Sequence, residues 1–285
     1  MNTIKSDSLF LGLAVLLSLL FVSGLGGASV MALLGYQGMT LAEVVLRQEL
    51  NAARALLAQQ GLGSLALFLI PGLALQQRWA RSEPATPSLP QRPWGLAQTV
   101  LAWSLIPALL PALTWLSSAW YGWLQGQAWA AASLAQNELQ AQWVERMLAL
   151  PHWGDKLVAV LVFVLVAAAG EELFFRGALQ RMLRARAGAL ASVGLSAVIF
   201  SGFHFDLLHL PFLAVAGLVL AYLYERSGRL WVPMGAHLIH NGITYIQTQL
   251  EGPGSYAADA AVAFTWWVPV GILAALAVGL ALRRE

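Results

Sequence analysis

Hydrophobic residues run along most of the chain in long stretches that contain few or no charges. Each stretch has roughly 17–25 residues, the length that a helix needs to cross a bilayer. The stretches lack the alternation over about ten residues that a membrane-spanning β-strand would show. Because backbone groups in lipid must be hydrogen-bonded within their own segment, each stretch is predicted to be an α-helix. Eight spans are predicted, near residues 9–35, 60–77, 95–117, 156–176, 189–204, 208–224, 230–248 and 262–282.

The composition agrees with this pattern. Of the 285 residues, 59% are hydrophobic and only 11% are charged, and the mean hydropathy is +0.67. A soluble domain carries about 25% charged residues. The sequence therefore predicts an all-α fold, a polytopic membrane helix bundle surrounded by the lipid bilayer.

Charge and cysteine content exclude several kinds of function. The formal net charge of +2 does not indicate nucleic-acid binding, because a small positive excess in a membrane protein is typical of arginines in cytoplasmic loops. The chain has no cysteine, which excludes disulfides, thiolate metal sites and cysteine nucleophiles.

Lysines and arginines predict the orientation of the spans. Most of them fall on one side of an eight-span topology: Lys5, Arg78, Arg81, Arg92, Arg181, Arg184, Arg186, Arg226, Arg229, Arg283 and Arg284. The opposite side carries Arg47, Arg54 and Arg146. The positive-inside rule then places both termini in the cytoplasm, and the short loops favour a bacterial cytoplasmic membrane.

The connecting segments divide the chain into two parts. Residues 1–94 are predicted to hold two spans, an interfacial helix at 40–60 and a proline-rich cytoplasmic linker at 81–93. Residues 95–285 are predicted to form a six-span bundle. The amphipathic segment 132–150 is predicted to be a helix, and two interpretations of it remain open: a packed surface helix or a gate for substrate.

Two adjacent carboxylates stand out in the stretch "AAAGEELFFRG". Glu172 and Arg176 are four residues apart, the favoured order for an ion pair on a helix. Glu171 is turned about 100° around the helix axis and shares that partner less easily. We interpret Glu172 as held by Arg176 and Glu171 as the acid that acts. The alternative is that both acids lie among lipid headgroups and that Arg176 is one of the loop arginines.

A second group of polar residues follows on later spans. "FSGFHFDLLHLP" contains His204, Asp206 and His209, and "MGAHLIHNG" contains His237, His240 and Asn241. His237 and Asn241 share one face of a helix. Intramembrane ionisable residues are candidates for function because they are expensive to bury. A hydrogen-bonded packing role is the alternative for the histidines, and an end cap or surface acid is the alternative for Asp206.

These residue types fit hydrolysis. A carboxylate with an imidazole can activate a water, and a second imidazole with an amide can stabilise an oxyanion. Two histidines and a carboxylate would also suffice for catalytic zinc. The chain lacks the H-E-x-x-H zinc motif and the G-x-S-x-G nucleophile elbow.

Three motifs in chain order resemble those of a known family. "EELFFR" fits E-E-x-x-x-R, "FSGFH" fits F-x-x-x-H and "HLIHN" fits H-x-x-x-N, all within residues 155–248. This order is similar to that of the CPBP intramembrane proteases, the CAAX-processing and bacteriocin-processing (Abi-type) family. The resemblance implies an intramembrane endopeptidase whose partner is a peptide or protein substrate at the membrane, hydrophobic or lipid-modified.

The resemblance also implies a role for each motif residue: Glu171 as the general base that activates water, Glu172 as the partner of Arg176, His204 as a group that positions the water, His237 and Asn241 as oxyanion stabilisers, and Phe200 as a packing residue. It assigns no firm cofactor. A metal-free glutamate mechanism is favoured for the family, and under the older metal-dependent view a divalent metal such as zinc would take Glu171, His204 and His237 as ligands. The motifs assign nothing to His209 or His240.

We expect Glu171, His204, His237 and Asn241 to converge around one water-accessible cavity. Two other functions remain open. In a proton-coupled transporter, Glu171 and the histidines would relay protons, although the inverted repeats common in transporters are not visible in the sequence. In a catalytically silent membrane scaffold, the motif residues would only pack.

Overall fold

The computed structural model describes residues 50–81, 93–251 and 267–283, together with residues 12, 43, 89 and 91. Helix is the only regular structure within these ranges, as the sequence predicts. The predicted first span, the first half of the interfacial helix at 40–60 and most of the linker at 81–93 lie outside the described residues.

Eight helices, some of them directly continuous, are labelled here within the described ranges. They are α1 (Leu50–Ser64, continued by Leu65–Leu69 and Ile70–Arg81), α2 (Leu96–Gln125), α3 (Ala131–Leu148), α4 (Trp153–Ala159, continued by Val160–Val166, Ala167–Glu171 and Glu172–Gln180), α5 (Arg181–Phe203), α6 (Leu210–Ser227), α7 (Trp231–Glu251) and α8 (Trp267–Arg283). A short 3₁₀ turn, Ala128–Ala130, precedes α3.

Four helical stretches among the described residues are long and apolar enough to cross a membrane: Leu50–Arg78, Leu96–Gln125, Trp153–Phe203 and Leu210–Ser227. The third is 51 residues long and includes two predicted spans, 156–176 and 189–204. A shorter apolar stretch, Val268–Gly279, falls within the predicted last span. The chain is thus an all-α membrane helix bundle, and the number of eight spans stays a prediction.

The helix that begins at Trp153 continues beyond residue 176, where the sequence analysis ended the fourth span. Residues 177–187 are rich in Ala, Leu, Gln and Arg, which are strong helix formers, so the helix has no local reason to stop. The break comes at Gly188, which has φ +81° and ψ 178°. Glycine adopts positive φ without a steric penalty. The predicted fifth span starts directly after this glycine.

The helices form two compact units that interleave along the chain. One unit comprises residues 1–87, 139–182 and 241–256, and the other comprises residues 88–138, 183–240 and 257–285. The predicted division into 1–94 and 95–285 is a sequential division by spans, and it stays a prediction.

The first unit is built on α4. Its apolar cluster joins α1, the end of α3 and the start of α4, with these buried members: Ala52, Ala53, Ala55, Leu56, Leu57, Met147, Leu148, Leu150, Ala159 and Val162. One face of the described half of the predicted interfacial helix is therefore packed in this cluster, while Asn51, Ala58 and Gln60 are exposed. The 132–150 segment is helical as predicted, and its last residues pack in the same cluster.

Small residues let α1 and α4 approach each other closely. A Cβ added at Gly72 would lie 2.9 Å from Leu173 Cβ and 3.1 Å from its carbonyl carbon. A Cβ added at Gly170 would lie 3.2 Å from the backbone nitrogen of Leu69. Because backbone atoms cannot rotate away, these two glycines fix the separation of the helices beside the two glutamates.

The second unit is built on α2. Its buried cluster joins α2, α6, the start of α7 and α8, with these members: Ala102, Leu105, Ile106, Leu220, Leu223, Val232, Ala236, Ala275 and Leu282. Trp103 Nε1 donates a hydrogen bond to the carbonyl of Val232 at 3.1 Å, and the indole ring covers Gly235. The start of α7, which leads to His237, is thereby held against α2.

We expect Gly72→Ala to destabilise the protein by about 1–3 kcal/mol, the usual cost of overpacking a tight contact. The matched control is Gly122→Ala in α2, where an added Cβ meets nothing within 4 Å. That control should be neutral or stabilising by up to about 1 kcal/mol, because alanine is the better helix former. Thermal unfolding of the detergent-purified variants measures both effects, and equal melting temperatures would contradict the close approach of α1 and α4.

Candidate active site

The predicted ion pair in α4 is present and completely buried. Arg176 Nη1 donates to Glu172 Oε1 at 2.9 Å, and both side chains are 0% exposed. The alternative placed Glu171, Glu172 and Arg176 at the membrane surface, and full burial contradicts a solvated position for Glu172 and Arg176. Removing two charges from water is expensive, and their mutual attraction with good hydrogen-bond geometry offsets much of that cost.

A cluster of aromatic rings reaches this pair through Phe175. Phe174 and Phe175 contact each other with ring centroids 5.1 Å apart, and each lies 5.6 Å from the ring of Phe68 on α1. The guanidinium carbon of Arg176 lies 5.9 Å from the centroid of the Phe175 ring. The low-dielectric surroundings strengthen the ion pair and make the loss of either partner costly.

Glu171 has a different environment from its neighbour. It is half-buried, whereas Glu172 is fully buried. Gly170, directly before it, packs against the backbone of α1. The two adjacent acids therefore differ in exposure as the helix periodicity predicts, with Glu171 as the more accessible one.

Two parts of α4 are π-helical, Val160–Val166 and Glu172–Gln180, where the sequence analysis expected regular α-helix. In each part a backbone carbonyl accepts a side-chain amide from another helix. Gln76 Nε2 donates to Gly177 O at 2.7 Å, and Asn241 Nδ2 donates to Phe163 O at 2.9 Å. Amides inserted from α1 and α7 supply hydrogen bonds to a wider turn, which is one recognised cause of such helix distortions.

His204 lies where α5 ends, and its ring is oriented by the backbone. Its Nδ1 lies 2.8 Å from the carbonyl of Phe200, one turn earlier. Since a carbonyl only accepts, Nδ1 carries the proton, and the other ring nitrogen of the neutral imidazole, Nε2, is an acceptor. This tautomer suits a histidine that accepts a hydrogen bond from a water molecule.

Phe200 brings the two motif histidines of the second unit together. Its ring centroid lies 4.7 Å from that of His204 and 6.1 Å from that of His237, with the His237 ring edge-to-face. Phe200 is 2% exposed and His237 is 6% exposed. The resemblance implied a packing role for Phe200. In the structure its ring packs between the imidazoles of His204 and His237 and orients both.

The predicted site residues are divided between the units. Glu171, Glu172, Arg176 and Asn241 belong to the first unit, and Phe200, His204 and His237 belong to the second. α7 carries His237 and Asn241 one helical turn apart. Within each unit the motif residues are ordered as described above. The convergence of Glu171, His204, His237 and Asn241 on one cavity stays a prediction.

The histidines and the aspartate outside the motifs have structural partners. His209 Nδ1 lies 2.7 Å from Asp206 Oδ2, and the His209 backbone nitrogen donates to Asp206 Oδ1 at 3.0 Å. Burial opposes ionisation of Asp206, but the hydrogen bonds and charge of His209 outweigh it, so the pKa of Asp206 is lower than usual. Asp206 thus binds His209, the residue directly before α6. His240 packs on Phe212, with ring centroids 5.1 Å apart.

Sequence reasoning missed several residues that order the site. The Gln76 side chain donates to α4, and the carbonyl of Phe163 in α4 accepts from Asn241. Asn137 binds the loop that follows His204. Gln76, Phe163 and Asn137 stand in no motif. A buried amide on an amphipathic helix was the only available signal for Asn137, and the partner could not be inferred from the sequence.

The donor types of the site fit zinc, since two imidazoles and a carboxylate suffice. His204 presents Nε2 for such a role while its Nδ1 is bound to a carbonyl, the arrangement common among metal-bound histidines. Within either unit, the described residues include no group of three or more His, Asp or Glu side chains placed to hold a metal ion.

The fold and these buried polar residues define a membrane-embedded helical protein with a hydrolase-type residue set, and comparison with known proteins agrees. Residues 153–243 match the family model described as "Type II CAAX prenyl endopeptidase Rce1-like". This region is therefore similar to the CPBP, or CAAX protease, family.

One curated relative is the protein named "Putative membrane peptidase YdiL" from Bacillus subtilis (strain 168). It is 35% identical over 97 residues, which cover 34% of this chain and 39% of the relative. The alignment thus spans about two-fifths of that protein. No solved structure shows a significant match.

We expect Arg176→Ala to destabilise the protein by about 3–5 kcal/mol, because it leaves the Glu172 carboxylate buried without its cation. Replacing both partners, Glu172→Leu with Arg176→Met, should cost much less, since no uncompensated charge remains. Chemical or thermal denaturation in detergent measures the differences.

The control is a second Arg–Glu pair that is partly exposed. Arg184 Nε lies 2.8 Å from Glu225 Oε1, with side chains 37% and 19% exposed. Arg184→Ala should cost no more than about 1 kcal/mol, as for other partly solvated pairs. An Arg176→Ala cost as small as that of Arg184→Ala would contradict the structural importance of the buried pair.

Proposed function

We propose that the chain is an intramembrane endopeptidase in which Glu171 activates the attacking water. The observation that carries the proposal is the unequal environment of two adjacent acids. Glu172 is fully buried on Arg176, and Glu171 is half-buried. An acid that is paired and buried is suited to structure, whereas a more accessible acid in an apolar helix is suited to proton transfer. The match to a membrane protease family over residues 153–243 supports the endopeptidase activity.

In the proposed reaction Glu171 removes a proton from water, and the hydroxide forms a bond to the carbonyl carbon of the scissile peptide. The carbonyl π electrons move to oxygen and give a tetrahedral oxyanion. The oxyanion then re-forms the carbonyl, the C–N bond breaks, and the leaving amine takes the proton from Glu171. One peptide bond and one water are consumed, and a carboxylic acid and an amine are produced.

The other motif residues have supporting roles in this proposal. His204 accepts a hydrogen bond from the water at Nε2, because its Nδ1–H is committed to Phe200 O. His237 and Asn241 donate to the oxyanion. The Asn241 amide nitrogen carries two hydrogens, and the bond to Phe163 O uses one of them.

Under a metal-dependent alternative, Glu171, His204 and His237 would hold a divalent ion such as zinc, which would lower the pKa of a bound water and polarise the carbonyl. The orientation of His204 is compatible with either mechanism. A chelator experiment therefore belongs with the test of the base.

The proposed substrate is a hydrophobic or membrane-anchored peptide, and the proposed location is the bacterial cytoplasmic membrane with both chain termini inside. The long apolar helices favour a substrate that enters from the bilayer. Prenylation is a property of the substrates of the matched family by its name, so paired prenylated and unprenylated peptides are the appropriate test substrates.

We expect Glu171→Gln to lower kcat/KM for peptide cleavage by about 10²–10⁴-fold, the usual contribution of a general base. The matched control is Glu138→Gln, because Glu138 Oε1 accepts from Tyr121 at 3.3 Å and a glutamine keeps that acceptor. The control should cleave like the wild type. Purified protein in nanodiscs with mass-spectrometric detection of both product termini provides the measurement.

Wild-type cleavage retained by Glu171→Gln would overturn the assignment of the base. Loss of cleavage with chelator, restored by zinc, would favour the metal-dependent version. Proton-driven uptake in proteoliposomes without any cleavage would replace the peptidase with a transporter.

A further inference from the structure

A side chain outside the three motifs fixes the loop that follows His204. Asn137, on α3, is 4% exposed. Its Nδ2 donates to Phe205 O at 3.1 Å, and its Oδ1 accepts from the backbone nitrogens of Leu207 at 2.9 Å and Leu208 at 3.3 Å. A single amide therefore binds three backbone groups that come about seventy residues later in the chain.

Asn137 stands on a packed platform formed by the end of α2, the 3₁₀ turn and α3. The end of α2, the 3₁₀ turn and α3 pack through a small buried cluster of Leu124, Ala130 and Leu134, with Leu207 of the loop against it. Trp120 Nε1 donates to Leu207 O at 2.8 Å. Two side chains from this platform thus hydrogen-bond to the short loop between α5 and α6.

The loop contains a backbone conformation that requires such support. Phe205, directly after His204, has φ +49° although it is not glycine. This region costs non-glycine residues roughly 1–2 kcal/mol, and it persists where the surroundings over-determine it. The Phe205 ring is 77% exposed, so ring packing contributes little. Two hydrogen bonds hold the Phe205 backbone: its nitrogen donates to Gly202 O at 3.2 Å, and its carbonyl accepts from Asn137.

We propose that Asn137 is a positioning residue for His204. It holds the Phe205 peptide in the left-handed region, and this conformation lets the last turn of α5 close with the His204 ring on Phe200 O. The consequence is a fixed tautomer, with Nε2 as the acceptor. The inference rests on the proposed function, because that function gives Nε2 its role beside the attacking water.

Three variants separate positioning from general stability. Asn137→Asp keeps an acceptor for Leu207 and Leu208 but loses the amide donor that faces Phe205 O. Asn137→Asp combined with Phe205→Gly relieves the strain, because glycine adopts positive φ without cost. Gln136→Ala is the matched control, since Gln136 is an exposed neighbour on the same helix. All are assayed below their melting temperatures.

For Asn137→Asp we expect kcat to fall by up to about 10²-fold, the effect of a misplacement of about 1 Å at an active site, with KM unchanged. The double variant should regain at least part of kcat, and Gln136→Ala should match the wild type. A role confined to folding would lower the melting temperature of Asn137→Asp without any rescue of kcat by Phe205→Gly.

A second readout does not depend on activity. In protein labelled with ¹⁵N-histidine, the His204 ring signals, assigned by comparison with His204→Ala, report the tautomer. We expect the Nδ1–H form in the wild type and a mixture in Asn137→Asp. Wild-type ring signals together with wild-type kcat in Asn137→Asp would overturn the proposal, as would a double variant no better than Asn137→Asp. If the wild type cleaves nothing, the proposed function fails while the ring signals still decide the positioning.

Discussion

The buried ion pair of Glu172 and Arg176 is the constraint on which the first unit depends. Two fully buried charges in an apolar helix are tolerated only with each other and with tight surroundings. Phe68, Phe174 and Phe175 supply those surroundings, and the glycine contacts of α1 and α4 allow the aromatic side chains to meet. The pair thus fixes the rotation of α4, and that rotation determines the exposure of Glu171.

In the second unit, a polar side chain binds the backbone at the end of α5. The carbonyls of Ser201 and Gly202 at the end of α5 accept from the backbone nitrogens of His204 and Phe205, and the ring of His204 binds the carbonyl of Phe200. Phe200 then contacts both His204 and His237, so a packing residue also orders two polar ones. His204, His237 and Asn241 are thus held by backbone carbonyls or aromatic rings of neighbouring turns and helices.

Much of this arrangement could be predicted from local pattern. Long apolar runs predicted helices, because a lipid-embedded backbone has few alternatives. The four-residue spacing predicted the pair of Glu172 and Arg176, because residues at that separation are neighbours on any helix. The helix of the fourth span continues beyond the predicted span end, since hydropathy falls after residue 176 while helix propensity continues to Gly188, and the end of the span itself stays a prediction. The π-helical segments were also missed, because their cause lies in amides from other helices.

The sequence by itself determined the helical class, the order of the three motifs and the pairing of one glutamate. Each depends on neighbours within one or two turns, where spacing fixes distance. Only the tertiary structure decided that the pair is buried rather than solvated, that Asn241 binds Phe163 O, that His204 carries its proton on Nδ1 and that Asn137 holds the loop beside it. The bonds of Asn241 and Asn137 join residues whose separation along the chain carries no information about distance, whereas the burial of the ion pair and the orientation of the His204 ring depend on packing that no local pattern specifies.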